Sequence, residues 1–508
     1  MAKKRKGNKD DSKGQKKKKT ENDCSKNDQI MIEEIFERFP TLSEGIFGRL
    51  DNRSLASCRE VSKAWKEYVD IQRIHWIRKI MKYATNPLRR RFWWPNLQSR
   101  FHGEWKIIID KTPIEFLKKF ARFVWLAPQT ESSPLYVAGA IGDIELFQCI
   151  KEKTGLKEDS KNSLGETPLT VAACNNHLNL CKVIIEELQN KNPGCNKGAT
   201  PLHHAASNGH FSVCELIMER LLDKNPGSNR GTTPLHHAAR LGHLKVCQLI
   251  IDKVANISPK TNKGNTPLHL AAREGHYKIC QILLKKMQEK NPENNKEITP
   301  LHLAAQSGHY DICNLIMDVV DEKMPRDEKD NTPLHCAATG GFFNICQLIC
   351  EKINGTRLRL RSKSKIVQDM NPENVEGRTP LHLAAEFGHF EVFKFIFLNT
   401  KDKNPQSQDV ERFTPLHLAA QYGHFDICEF ICLNLELEDR NPKDREGKAP
   451  LHLAARNGHF DVCKLLCLNL QEKNPLDQYR RTPIDDAYRW KQWKIVYFLI
   501  AQNNLHCS

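Results

Sequence analysis

The sequence predicts an all-α fold, a solenoid of about eleven helix-turn-helix units behind a small three-helix module. Three observations carry that reading. First, Thr-Pro-Leu-His or a near variant starts at Ser133, Thr167, Thr200, Thr233, Thr266, Thr299, Thr332, Thr379, Thr414, Ala449 and Thr482. Second, the steps between these starts are 34 residues, then 33 five times, then 47, 35, 35 and 33. Third, most interior units continue as Ala-Ala, two variable residues and Gly-His, followed by an apolar stretch at helical spacing. A fixed period of this length marks stacked supersecondary units rather than one globular core.

Each residue type in a unit has a physical reason. In Gly264–Leu283, Gly264 suits a tight turn ahead of the motif. Pro267 opens a first helix, since its missing N–H would have no helical partner there. Leu268, Ala271 and Ala272 fall on one helical stripe, and the small alanines let neighbouring helices approach closely. Gly275 and His276 are expected to end that helix. Ile279, Cys280, Ile282 and Leu283 give the apolar side of a second helix. One such unit cannot bury its own faces, so stability must come from stacking on neighbours.

Period and motif resemble the ankyrin repeat over roughly residues 130–505, with 131–505 as the repeat domain. The resemblance implies helix pairs joined by hairpin loops and a concave face that binds other proteins. Asn192-Pro193, Asn225-Pro226, Asn291-Pro292, Asn371-Pro372, Asn441-Pro442 and Asn474-Pro475 lie near the hairpin-loop Asn of the family pattern, which usually lacks the Pro. Pro fixes one dihedral and removes a donor, so these turns are expected to be stiff.

Periodicity also accounts for most of the 21 His and many of the 18 Cys. Eight His close the motif: His203, His236, His269, His302, His335, His382, His417 and His452. Eight more follow the later Gly or its equivalent: His177, His210, His243, His276, His309, His389, His424 and His459. Their nitrogens are expected to bond nearby backbone or the motif Thr, as scaffold rather than zinc ligands. Cys181, Cys214, Cys247, Cys280, Cys313, Cys346, Cys428 and Cys463 lie fourteen residues after a motif start, where Cys serves as a small apolar filler. There is no Cys-x-x-Cys pair, no phosphate-binding glycine loop and no nucleophile elbow. The chain therefore reads as a non-enzyme with no metal or cofactor.

The net charge of +16 is unevenly spread. Residues 1–28 hold eleven Lys/Arg against five Asp/Glu. Lys3-Lys4-Arg5-Lys6 and Lys16–Lys19 look like halves of a bipartite nuclear signal, or belong to a plain solubilising tail of disordered composition. No apolar stretch follows the basic start and no run of eighteen apolar residues exists, so neither a secretory signal nor a membrane span is expected. Periodic thiols fit a reducing compartment, hence cytoplasmic or nuclear residence.

The variable places at the end of each first helix are the expected target-binding positions: Arg240, Arg273, Glu274, Gln306, Glu386, Phe387, Gln421, Tyr422 and Arg456. Phe387 and Tyr422 are aromatic anchors in a polar surround, a composition that suits a protein partner. The 47-residue step holds an insert at 353–370 with Arg357, Arg359, Arg361, Lys363 and Lys365 on alternate positions. It is expected to be an exposed basic strand or loop. No aromatic platform interleaves with these cations, which argues against nucleic acid.

Residues 29–83 read as three short helices at Ile30–Phe39, Leu42–Leu50 and Ser54–Val69, the last continuing past Trp76. The string Phe39-Pro40, Leu42, Glu44, Ile46-Phe47, Leu50, Leu55, Val61-Ser62 and Trp65 resembles an F-box, with Phe39 where Leu usually precedes the Pro. The resemblance implies that Pro40, Leu42, Ile46, Leu50 and Leu55 meet a Skp-family adaptor within a cullin ubiquitin ligase. The chain would then be a monomeric substrate receptor inside a hetero-complex that includes an unidentified target protein. The competing reading makes 29–83 a helical cap on an ankyrin scaffold or nuclear regulatory protein without a ligase. Residues 84–130, with Trp93, Trp94, Trp105 and Trp125, form an aromatic-rich linker expected to pack against both neighbours.

Overall fold

The structure is a computed structural model that describes residues 134–359, 370–436, 440–470 and 472–504. The basic tail, the F-box-like segment with Pro40, Leu42, Ile46, Leu50 and Leu55, the aromatic linker and residues 360–369 of the insert lie outside the described residues. Among the described residues there are twenty-two α-helices and no strand. The chain divides into two compact units, Met1–Ala172 and Ala173–Ser508.

In the first unit, helices Pro134–Ile141 and Ile144–Thr154 form a pair. The Asp143 carboxylate caps the second, accepting from the Leu146 N–H at 2.9 Å. Asn162 shapes the following hairpin, its Oδ1 accepting from the N–H groups of Leu164 and Glu166.

The second unit repeats one design, seen clearly in the Thr266 repeat. Thr266 is the N-cap and Pro267 the first helical residue of Pro267–Glu274. Leu268, Ala271 and Ala272 are fully buried. Gly275 ends the helix in the left-handed region at φ +85°, and a Cβ there would sit 2.6 Å from the His309 ring of the next repeat. This position therefore requires Gly both for its backbone and for the close approach. His276 does not end the first helix as expected; it heads the second, Tyr277–Lys286. The reason is that Gly275 alone completes the stop. The buried side of the second helix is Ile279, Cys280, Leu283 and Leu284, while Ile282 is half-buried.

The two histidine rows tie the stack together in opposite directions. His269 Nδ1 accepts from the Thr266 N–H at 3.1 Å, and its Nε2–H donates to the carbonyl of Ile298 in the next repeat at 3.0 Å. His276 Nε2 reaches back to the carbonyl of Arg240 in the preceding first helix, also at 3.0 Å. The forward bond recurs at His203, His236, His302, His335, His382, His417 and His452. The scaffold reading of these His thus holds, and the direction of each bond is fixed. Burial pushes the motif imidazoles down, to about 4 at His203, His236, His269, His335, His382 and His417. A ring that accepts at Nδ1 and donates at Nε2 has no place for a second proton.

The Asn-Pro loops are explained by the residue before them. Lys224 Nζ donates to the carbonyls of Met218 and Leu221, closing the end of the preceding second helix. Asn225 Oδ1 accepts from the Leu235 N–H at 3.0 Å, closing the start of the next first helix. Pro226 then turns the chain between them. Lys191-Asn192 and Lys290-Asn291 repeat the arrangement. At these three turns Lys-Asn-Pro is thus a double cap.

The long step differs from its expectation. The second helix of the Thr332 repeat runs from Phe343 to Arg359, so Ile353–Arg359 is helical, not strand or loop. The other second helices are nine to twelve residues long, and five of them are followed by a Lys-Asn-Pro turn. Here the Asn-Pro turn is deferred to Asn371-Pro372, with Met370 in the place of Lys. The hairpin after the insert still stacks directly on its predecessor, with the Val375 N–H donating to the Lys329 carbonyl at 3.0 Å.

Candidate protein-binding face

Each hairpin is fastened to the one before it, which sets a row of tips beside the ends of the first helices. The N–H groups of Asn229, Asn262 and Asn295 donate to the carbonyls of Lys197, Arg230 and Lys263 at 3.0–3.1 Å. The same three asparagines donate through Nδ2 to the carbonyls of Asn196, Asn229 and Asn262. This ladder gives the tips a fixed register without using any charged side chain.

A groove of about 400 Å³ lies across the Thr299, Thr332 and Thr379 repeats. Gln306, Glu386 and Phe387, three of the expected binding residues, line it together with Asp327, Cys336 and Arg378. Arg378 organises one wall. Its Nη1 meets Glu386 Oε2 at 2.9 Å and its Nε meets Asp409 Oδ2 at 3.0 Å. Burial works against the Asp409 carboxylate, yet the Ser407 hydroxyl and Arg378 hold it below the usual value. Glu386 is therefore half-buried and paired, a wall rather than a projecting contact. Burial pushes the Cys336 thiol up to about 12, so it is a lining group and not a nucleophile.

The remaining expected residues are spread along the face. Arg240 is exposed on its own repeat, and Arg273 is exposed but pairs with Glu274 at 2.8 Å. Phe387 is 50% exposed and stacks over His389; Tyr422 is 47% exposed and stacks over His424. Both aromatics thus stay about half exposed while resting beside a histidine ring. Gln421 is half-buried, and its Oε1 finds no hydrogen-bond partner. Arg456 lies 4.8 Å over the Trp490 ring, a cation–π contact that holds it down.

Sequence reading missed Arg378 and Asp409. Arg378 stands directly before the motif Thr379, at a place that unlike residues fill in other repeats, and Asp409 lies in the longer hairpin ahead of Thr414, so no periodic signal points to them. It also missed the tips. Those were legible by aligning the chain on the motif Thr and reading the third residue before it.

Among the described residues, no group of three or more His, Cys, Asp or Glu is arranged to hold a metal ion. No helix among them is long and apolar enough to cross a membrane.

Comparison with protein families agrees with this geometry. The family model for ankyrin repeats in three copies matches at residues 135–226, 216–294, 284–362, 360–441 and 431–507. The chain belongs to the ankyrin-repeat family. An F-box domain is also present, matched over residues 31–77. Among curated proteins, none matches the chain. The ankyrin array and the F-box thus occupy separate parts of one chain, the array holding the groove and the tips.

Proposed function

We propose that the protein is the target-holding subunit of a Skp–cullin–F-box ubiquitin ligase. The observation that carries this is the joining of an F-box domain at 31–77 to an ankyrin array at 135–507 in one chain. The F-box would dock on the Skp-family adaptor through Pro40, Leu42, Ile46, Leu50 and Leu55. The array would hold the target along Arg240, Arg273, Glu274, Gln306, Glu386, Phe387, Gln421, Tyr422 and Arg456. The chain then supplies position and effective concentration, while the attached conjugating machinery makes the bond to a target lysine. Purified full-length chain should bind purified adaptor, and the double variant Pro40→Ala/Leu50→Asp should lose at least tenfold in affinity. A folded wild-type chain that does not bind adaptor overturns the proposal.

A further inference from the structure

Charge along the hairpins is sorted. The hairpins of the Thr200, Thr233 and Thr266 repeats, residues 193–199, 226–232 and 257–265, contain Lys197, Arg230, Lys260 and Lys263 and no acid. All four cations are exposed, and none of them forms an ion pair with a described residue. Arg240 and Arg273 stand on the first helices behind these tips; the one acid beside them is Glu274, paired with Arg273. The next four hairpins each carry one more acid than base. Glu293 and Glu297 outnumber Lys296; Asp327, Glu328 and Asp330 outnumber Arg326 and Lys329. Glu373 and Glu376 outnumber Arg378; Asp409 and Glu411 outnumber Arg412.

From this we infer that the array takes an extended, carboxylate-rich segment of its target across the Thr200–Thr266 hairpins, followed by a basic stretch over the Thr299–Thr414 hairpins. The inference rests on the array being the target-holding part of the chain, and it adds the target's charge order. The asparagine ladder from Asn196 to Asn295 holds the cationic tips before any partner arrives, which lowers the ordering cost of binding. Neighbouring helices pack about 8–10 Å apart, so three repeats span roughly 25–30 Å, or about eight extended residues. A nucleic acid fits less well. It is negative throughout and would run onto acidic hairpins, and no aromatic ring stands on the cationic hairpins to stack a base.

The test uses the full chain and fluorescence anisotropy with two labelled 20-residue peptides of identical composition. One has ten residues alternating Glu and Ser followed by ten alternating Lys and Ser; in the other the Glu and Lys are interleaved. The block peptide should bind at least tenfold more tightly at low salt, and the gap should shrink as salt rises. Lys197→Glu/Arg230→Glu/Lys263→Glu should weaken the block peptide at least tenfold, and the milder triple change to Gln about threefold or more, with melting unchanged. Equal binding of the two peptides within twofold, or no effect of either triple variant, overturns the inference. So does tighter binding of a 20-residue oligothymidine. Block-peptide binding that appears only after removal of residues 1–28 assigns the acidic tips to the chain's own basic tail and overturns it too. Adaptor binding is read separately on the same protein, so failure here with the adaptor retained leaves the ligase proposal standing.

Discussion

The two halves of the array use one motif and different means of holding it. From Thr200 to Thr332 the step is 33 residues, the second-helix filler is Cys, and an asparagine ladder joins the hairpins. From Thr379 onward only the 405–413 hairpin is longer; the backbone bonds between hairpins continue from Gln408, Arg445 and Gln478, and the Arg378 ion-pair cluster is added. In the Thr379 repeat the Cys place becomes Phe393, which joins Phe397 and Phe430 in a group of edge-to-face and tilted rings, while Cys428 and Cys463 keep the place in the next two repeats. The double cap also fades. Asn404 meets the Leu416 N–H only at 3.4 Å, and the Oδ1 atoms of Asn441 and Asn474 are buried with no partner. At the Thr414 repeat two added hairpin residues set Asn404 twelve rather than ten positions from the N–H it caps; Asn441 and Asn474 keep the usual spacing, so hairpin length does not explain their unpartnered Oδ1 atoms.

Acid should abolish the difference, and with the largest effect. Both halves keep their motif His neutral by burial, at about 4 in the folded chain against about 6.5 unfolded. Above pH 6.5 neither state binds the proton, and stability is complete. Between 6.5 and 4 only the unfolded chain is protonated, so each such His removes about 1.4 kcal/mol of stability per pH unit as pH falls. Thermal melting should be flat from pH 7 to 8 and fall steeply from pH 6.5 towards 4 in both halves. A melting temperature unchanged at pH 5 contradicts the neutral, buried assignment.

Truncating the filler should sharpen the contrast. Phe393→Ala removes a fully buried ring and should cost about 3–5 kcal/mol, whereas Cys280→Ala should cost about 1 kcal/mol. Hydrogen exchange on each variant reports the loss repeat by repeat, which matters because such arrays open locally. Similar costs at the two sites would mean that the Phe393 ring adds nothing to the Cys filler whose place it takes.

The caps give a smaller effect of unequal size. Asn291→Ala should cost about 1 kcal/mol, because Asn291 Oδ1 caps Leu301 at 3.1 Å. Asn441→Ala should be near neutral or slightly stabilising, since it deletes a buried acceptor without a partner. Denaturant titration of the pair decides this; equal losses would show that Asn441 is satisfied in solution. Smallest of all, Lys224→Met should cost about 0.3–1 kcal/mol by uncapping Met218 and Leu221.

Much of this was legible in the chain. The period, the Pro-opened first helix, the buried alanines and the Cys filler follow from patterns within a few residues of each motif. The scaffold role of His followed too, because sixteen residues in two registers have no use for sixteen metal sites. The stop at Gly275 and the start at His276 were merged, since both lie in one dipeptide and only backbone geometry separates them. The helix through Arg359 departs from the expected basic strand or loop: alternate cations suggest a strand, while the Asn-Pro turn deferred to Asn371-Pro372 is the stronger cue.

What the sequence by itself determined is the repeated unit: its helices, its caps and the residues each must bury. These depend on spacings of one to ten residues, which a linear pattern records. What only the tertiary structure decided is the traffic between units. It fixed the forward and backward histidine bonds, the stacking of the Val375 hairpin on Lys329 despite the insert, and the groove where Gln306, Arg378 and Phe387 meet. Those contacts join residues about thirty or more positions apart, and their partners are set by how one repeat seats on the next.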